Sequence, residues 1–368
     1  MAKNVAELPG TELVERITQL ARIENDDSRA RAALNDTYVR ELPGKEDWTF
    51  LIVSSALTCT DDYRTGTVSV NTQSATTTFS TDVSLDATFT GRKIKFTDNP
   101  NVYDLTYANA TGGTINPPLS GTRNIISGAY FIFAPIYALD EAYDRWPKDG
   151  GLHIYQGGQI TPIYEVAPQE WYREYTPFPS LPKMCRLVQA GTDLLQRFEL
   201  SPPPDQPYVL GNEYLRKLDP LRETTAGFVD IAASGTTVTG SAGTTRFTEA
   251  QTGWYIRIDA FGTGENSEWY RVSAIANNSS LTLATAFGLS GANTATYTLS
   301  AVPQIPVKMH QALLYGGMMK VLMDQNDPQF QFAQVKFSEM INDAKRQYKS
   351  RRYSQPIETV FEEYHYRR

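Results

Sequence analysis

One β-rich plan occurs twice in this chain, over about Gly66–Leu139 and again over about Gly227–Val302. Each copy opens on a glycine and an alternating strand, Gly66-Thr67-Val68-Ser69-Val70 and Gly227-Phe228-Val229-Asp230-Ile231, and runs through a Thr/Ser-rich segment to a phenylalanine, Phe79 or Phe247. A second glycine then precedes a strand, Gly91-Arg92-Lys93-Ile94-Lys95-Phe96 or Gly253-Trp254-Tyr255-Ile256-Arg257-Ile258. Tyr103-Asp104-Leu105 matches Tyr270-Arg271-Val272, Ser120-Gly121 matches Ser290-Gly291, and Tyr130-Phe131-Ile132-Phe133 closes the first copy as Tyr297-Thr298-Leu299 closes the second. Period-2 alternation between glycine-marked turns is the signature of short strands. A duplicated supersecondary unit decides the fold before any other signal does. Two small sandwich or barrel modules are therefore expected, at 65–139 and 227–302.

What lies around the modules has helical periodicity. Leu13, Ile17, Leu20 and Ala21 share a face behind Thr11, which reads as an N-cap, and Asp26-Asp27-Ser28 caps a second helix ending at Pro43-Gly44. Trp48, Leu51, Ile52 and Ala56 place a third helix before the first module. Beyond the second module, Leu313, Leu314, Gly317, Met318, Val321 and Leu322 form one face. After the Asp324-Gln325-Asn326-Asp327-Pro328 turn, Phe330, Ala333, Phe337, Met340, Ile341, Ala344 and Tyr348 form another, so an αα-hairpin is expected at 303–350. Residues 140–226 are proline-punctuated: a short helix is expected at Asp140–Trp146, and strands at Met184–Val188 and Leu195–Leu200. The fold class expected is α+β: a scaffold of N-terminal helices (1–64), the extended middle (140–226) and the C-terminal hairpin, carrying two inserted β modules and ending in a tail at 351–368.

Composition narrows the function classes. With 41 % hydrophobic and 20 % charged residues the chain reads as soluble and globular, and no apolar run approaches the roughly 20 residues of a membrane span. The formal charge of −7 argues against a general nucleic-acid binder. Cys59 and Cys185 lack CxxC spacing and read as buried thiols. The 21 tyrosines suit either strands or interfaces.

Catalytic constellations are sparse. His153, His310 and His365 have no metal-ligand spacing, and no nucleophile elbow, phosphate loop or complete dinucleotide fingerprint occurs. Asp61-Asp62 and Glu265/Glu268 offer carboxylate pairs, but such pairs are more often helix-end or hairpin residues. The Asp324–Asp327 turn lacks the glycine and distant glutamate of a calcium loop. No enzyme, cofactor or metal is expected. Lys345, Arg346, Lys349, Arg351 and Arg352 either complement a helix dipole or meet an acidic partner. The tail with Tyr353, Ile357, Val360, Phe361, Tyr364 and Tyr366 is too apolar to be left in water, and docking on another protein is expected of it.

Four segments resemble the head-to-tail adaptor (connector, or neck) proteins of tailed bacteriophages. They are Lys45-Glu46-Asp47-Trp48-Thr49-Phe50-Leu51; the aromatic and proline region from Tyr172-Arg173-Glu174-Tyr175 through Leu200-Ser201-Pro202-Pro203-Pro204 to Tyr208-Val209-Leu210; Val302-Pro303-Gln304-Ile305-Pro306 with His310-Gln311-Ala312-Leu313-Leu314-Tyr315-Gly316-Gly317; and the modules themselves, which resemble immunoglobulin-like insertions of phage virion proteins. The two modules depart from smaller adaptors, which have none. The resemblance implies a ring of copies, typically a dodecamer, under the portal at the neck of the virion, made in the cytoplasm of a bacterial host. It also implies a downstream tail protein as partner and a lumen through which phage DNA passes without sequence-specific binding. Docking on the portal would then fall to the tail, through Arg351, Arg352, Tyr353, Ile357, Val360, Phe361, Tyr364 and Tyr366. The competing expectation is a receptor- or carbohydrate-binding tail protein that stacks sugars on Trp254, Tyr255, Trp269 and Tyr270. A glycan-active enzyme is a third, and would need a carboxylate pair in a cleft.

Overall fold

The two copies fold into sheets with the same strand order. In the computed structural model, which describes residues 7–23, 26–148, 150–189, 195–241, 243–258 and 268–349, the first sheet runs Ile125–Gly128, Val68–Val70, Thr76–Phe79, Gly112–Asn116, Val102–Asn109, Lys93–Phe96, Tyr130–Phe133. The second runs Ala292–Ala295, Val229–Ile231, Thr237–Gly240, Ser280–Leu283, Trp269–Asn277, Tyr255–Ile258, Tyr297–Ser300, with Glu223–Thr224 added outside the last. In each, the first and last strands are consecutive in the chain, interrupted only at Ala129 or Thr296. One half of that stretch pairs with the opening strand (Val68↔Gly128, Val229↔Ala295) and the other half with the Lys93–Phe96 or Tyr255–Ile258 strand (Phe96↔Tyr130, Ile258↔Tyr297). Each sheet thus curls until its two ends fall on one stretch of chain, giving a partly closed barrel. Gly66 and Gly227, and Gly91 and Gly253, all have φ between 72° and 95°, a region that disfavours a side chain, which is why the repeat is punctuated by glycine.

The register revises one equivalence. Phe79 lies opposite Val68 just as Gly240 lies opposite Val229, so Phe79 corresponds to Gly240 and not to Phe247. Phe247 instead opens the 3-10 turn Phe247–Glu249. Both rings nevertheless meet the equivalent tyrosine edge-on, Phe79 on Tyr130 at 5.1 Å and Phe247 on Tyr297 at 5.6 Å.

The chain divides into two compact units. One comprises residues 1–50 and 217–368, with the second barrel; the other is Leu51–Arg216, with the first. In the former, α1 (Gly10–Leu20) and α2 (Asp27–Asp36) pack on α5 (His310–Asp324), which pairs with α6 (Phe330–Tyr348) as the hairpin expected from the sequence. Asp26 caps α2 by accepting the Arg29 N–H. A π turn, Thr37–Glu41, and α3 (Leu42–Lys45) carry this helix through Pro43-Gly44 instead of ending there. Thr11 is not the cap of α1; its hydroxyl donates to Glu223 Oε2 at 2.8 Å, and Pro9 precedes the helix. Gly316 and Gly317 permit close helix approach: a Cβ on Gly316 would lie 2.4 Å from Thr37 Cγ2, and one on Gly317 2.6 Å from Ile17 Cδ1.

In Leu51–Arg216, two further sheets share one core, built on Tyr137, Ile154, Phe198, Leu200, Leu210 and Tyr214. The first orders Ile52–Thr58, Val209–Arg216, Leu152–Gln156 and Gln159–Pro162, with Tyr143–Arg145 also on Val209–Arg216. The second orders Tyr164–Glu165, Met184–Val188, Arg197–Ser201 and Ile136–Ala138. Two helix expectations fail here. The apolar stripe from Trp48 to Ala56 becomes a 3-10 turn, Thr49–Leu51, followed by the Ile52–Thr58 strand. Asp140–Trp146 is a turn leading into the Tyr143–Arg145 strand. In both cases pairing with Val209–Arg216 overrides local propensity, because the whole Ile52–Thr58 stretch gains ladder hydrogen bonds to it. Among the described residues the chain is α+β with more strand than helix.

Candidate interaction surface

A partly buried ion pair anchors the most aromatic part of the middle body. Arg186 and Glu199 are cross-strand neighbours in the four-stranded sheet, and Arg186 Nε and Nη2 both donate to Glu199 Oε2, at 2.8 and 2.6 Å. Burial alone would lower the Arg186 pKa, but the Glu199 carboxylate and Tyr172 together raise the value. α4 (Pro168–Glu174) lies over this pair. Its Trp171 ring is buried with the Arg186 guanidinium 4.7 Å from its centre, and the Tyr172 ring stands 5.7 Å from the same guanidinium, 77 % exposed. The arginine thus contacts two aromatic rings, which favours its planar cation. Tyr172 is presented to solvent beside this pair.

A second exposed surface is the outer face of the five-stranded sheet. Ile160, Tyr155 and Val209 are direct cross-strand neighbours, at 65 %, 49 % and 41 % exposure. Beside them His153 Nε2 lies 2.7 Å from the Tyr155 hydroxyl. Both rings lie across Gly211, where a Cβ would come within 2.2 Å of the imidazole. At one end of the first barrel, segments 98–101 and 120–128 flank an open groove of about 940 Å³ lined by Asn99, Asn101, Ser120, Thr122, Arg123 and Asn124. Buried Lys95 fixes one wall by donating to the Asn99 and Pro100 carbonyls, at 2.8 and 3.2 Å.

The residues singled out by sequence fare unevenly. Arg351, Arg352, Tyr353, Ile357, Val360, Phe361, Tyr364 and Tyr366 lie outside the described residues, as do Glu265 and His365. Lys345 and Lys349 pair with Glu46, and Arg346 with Asp343. Asp62 pairs with Arg64, and burial is the main cause of its raised pKa. Glu268 accepts the Tyr270 hydroxyl, and Asp324 pairs with Arg29. His310 is buried; its Nδ1 accepts the Leu8 N–H at 3.0 Å, and burial lowers its pKa. The sugar platform does not form. Trp269 is buried with the Arg257 guanidinium 4.9 Å from its ring centre, Tyr255 bonds to Glu7, and Trp254 packs on the second barrel's core. Among the described residues no group of three or more His, Cys, Asp or Glu side chains could hold a metal ion, and no helix there is long and apolar enough to cross a membrane. The Arg186 stack escaped sequence reading because its partners come from separate elements; the one signal was Trp171-Tyr172 in a short helix.

No family model matches this chain, and no curated protein does either. Among solved structures, the translation elongation factor SelB of Methanococcus maripaludis, in complex with the GTP analogue GppNHp, is 14 % identical, with a TM-score of 0.16. The match covers 68 % of this chain and 62 % of that one, and so loose a superposition carries no argument about function.

Proposed function

We propose that this protein is a structural, non-enzymatic adaptor of a tailed-phage virion, a ring of copies below the portal that joins head to tail and leaves a channel for DNA. The observation that carries the reading is the split helical frame. α1 and α2 come from before the modules and α5 and α6 from after them, yet they pack as one helical body through Gly316 and Gly317, with Gly317 against Ile17 and Leu34. A frame closed across an inserted module is the arrangement the adaptor resemblance implies, with this helical body as its scaffold. A ring contact is heterologous and needs two different faces on each copy. Tyr172 with its Arg186 support, and the Tyr155–Ile160–Val209 face, supply apolar surface of that kind. The tail from Arg351 to Tyr366 would reach the portal, and the downstream tail protein would sit on the opposite side.

Electron microscopy of the purified protein, alone and with portal, tests this. Closed rings or a portal complex support it, and trimeric fibres overturn it. A carbohydrate-binding tail protein remains the second reading. The groove at the first barrel favours it, since the amides and hydroxyls of Asn99, Asn101, Ser120, Thr122 and Asn124, beside the charged Asp98 and Arg123, can hydrogen-bond sugar hydroxyls.

A further inference from the structure

The five-stranded sheet ends on a strand with a single neighbour. Its first strand, Ile52–Thr58, pairs along its whole length with Val209–Arg216 and, among the described residues, with no other strand. The register is unbroken, and the Cys59 N–H donates to the Tyr208 carbonyl at 2.8 Å. Antiparallel ladders alternate, so Val53, Ser55 and Leu57 turn their backbone groups inward. Ile52, Ser54, Ala56 and Thr58 then direct theirs to the open side.

Natural edges of this length are normally blunted by lysine, proline or a bulge. Ile52-Val53-Ser54-Ser55-Ala56-Leu57-Thr58 has none of these and no charge. Its core-side residues Val53 and Leu57 pack on the middle core yet are only partly buried, as at the flank of a sheet lacking its next strand.

We infer that this edge pairs with the same edge of a second copy, antiparallel about a twofold axis at Ser55. A second copy fits because the strand is complementary to itself. In that register Ile52 faces Thr58 and Ser54 faces Ala56, so every outward N–H meets an outward carbonyl. Val53 and Leu57 meet across the axis on the core side and complete each other's burial. The small exposed side chains of Ser54 and Ala56 leave the approach clear, and with no charge on either strand no like-charge pair opposes it. The inference goes beyond the adaptor reading: a twofold contact closes on itself and does not propagate round a cyclic ring, so this pair is a contact distinct from the ring contact.

The test uses the full chain at micromolar concentration, with light scattering after gel filtration. Wild type is expected to be a dimer. Ala56→Pro removes only an outward N–H and Ala56→Lys adds a charge beside the edge; both should give monomers with unchanged circular dichroism. Ser55→Cys should cross-link between copies on mild oxidation, because a non-hydrogen-bonded pair brings Cα atoms to about 4.5 Å. A monomeric wild type overturns the inference, as does a dimer that survives Ala56→Lys. Oligomers in which Ser55→Cys stays uncross-linked overturn it too, whether held by another face or by another strand. Loss of the dimer leaves portal binding untouched, so the two readings fail separately.

Discussion

The Tyr297 hydroxyl donates to the Ala226 carbonyl at 2.7 Å, tying the last strand of the second barrel to the residue just before its opening glycine. Tyr130 makes the same bond to the Thr65 carbonyl, just before Gly66. The duplicated module therefore keeps a latch that fastens its end to its beginning. Tyr297→Phe should cost about 1 kcal/mol, the net worth of a neutral hydrogen bond. Tyr297→Ala should cost about 3–5 kcal/mol, since the ring packing on Phe247 goes too. Urea unfolding distinguishes them, and equal losses would remove packing from the account.

Gly316→Ala should destabilise by about 1 kcal/mol. Helix propensity favours alanine by roughly 1 kcal/mol, but overpacking costs about 1–3. Thr37 cannot yield, because its hydroxyl is bonded to the Ala33 carbonyl. A Cβ on Gly44 in α3 would meet nothing within 4 Å, so Gly44→Ala should be neutral or stabilising. Thermal melts should show Gly316→Ala lowered and Gly44→Ala level with wild type or above it.

Acid should weaken the helical body through His310. Its pKa is lowered by burial, so as pH falls below the ordinary histidine value of about 6.5 the unfolded chain takes up a proton that the folded one refuses. That contribution to stability is present above this pH and is lost as pH falls toward the folded value. His310→Gln should flatten the decline in denaturant midpoint over that window; an unchanged slope would assign the loss to other groups.

Burial pushes the Cys59 and Cys185 thiols up to about 12. Thiolate is the reactive form, so neither should react with Ellman's reagent in the native protein at neutral pH. Both should titrate in denaturant. Rapid native labelling would contradict their burial.

Arg186→Ala should cost about 3–5 kcal/mol, because it strands the buried Glu199 carboxylate. Arg186→Ala with Glu199→Gln should recover part of that loss in equilibrium unfolding. No recovery would locate the cost in the lost stacking on Trp171.

Much of the fold was legible in the chain. The barrels announced themselves through period-2 strands between glycines that occupy left-handed backbone, and α5 and α6 through long apolar faces broken at Asp327-Pro328. These are local signals, carried by backbone sterics and side-chain periodicity within a dozen residues. Ile52–Thr58 carried no such signal. Its Ala, Leu and Ser fit a helix as readily as a strand, and its partner Leu215 lies far along the chain. The Arg186–Glu199 pair was equally silent, since a cross-strand neighbour exists only once the register is set. The duplication, the helical hairpin and the spacing of the histidines and cysteines follow from residue order alone. The curling of the two module sheets and the single-partner position of Ile52–Thr58 came from the fold, because strand pairing is a long-range contact whose energy appears only when distant segments meet.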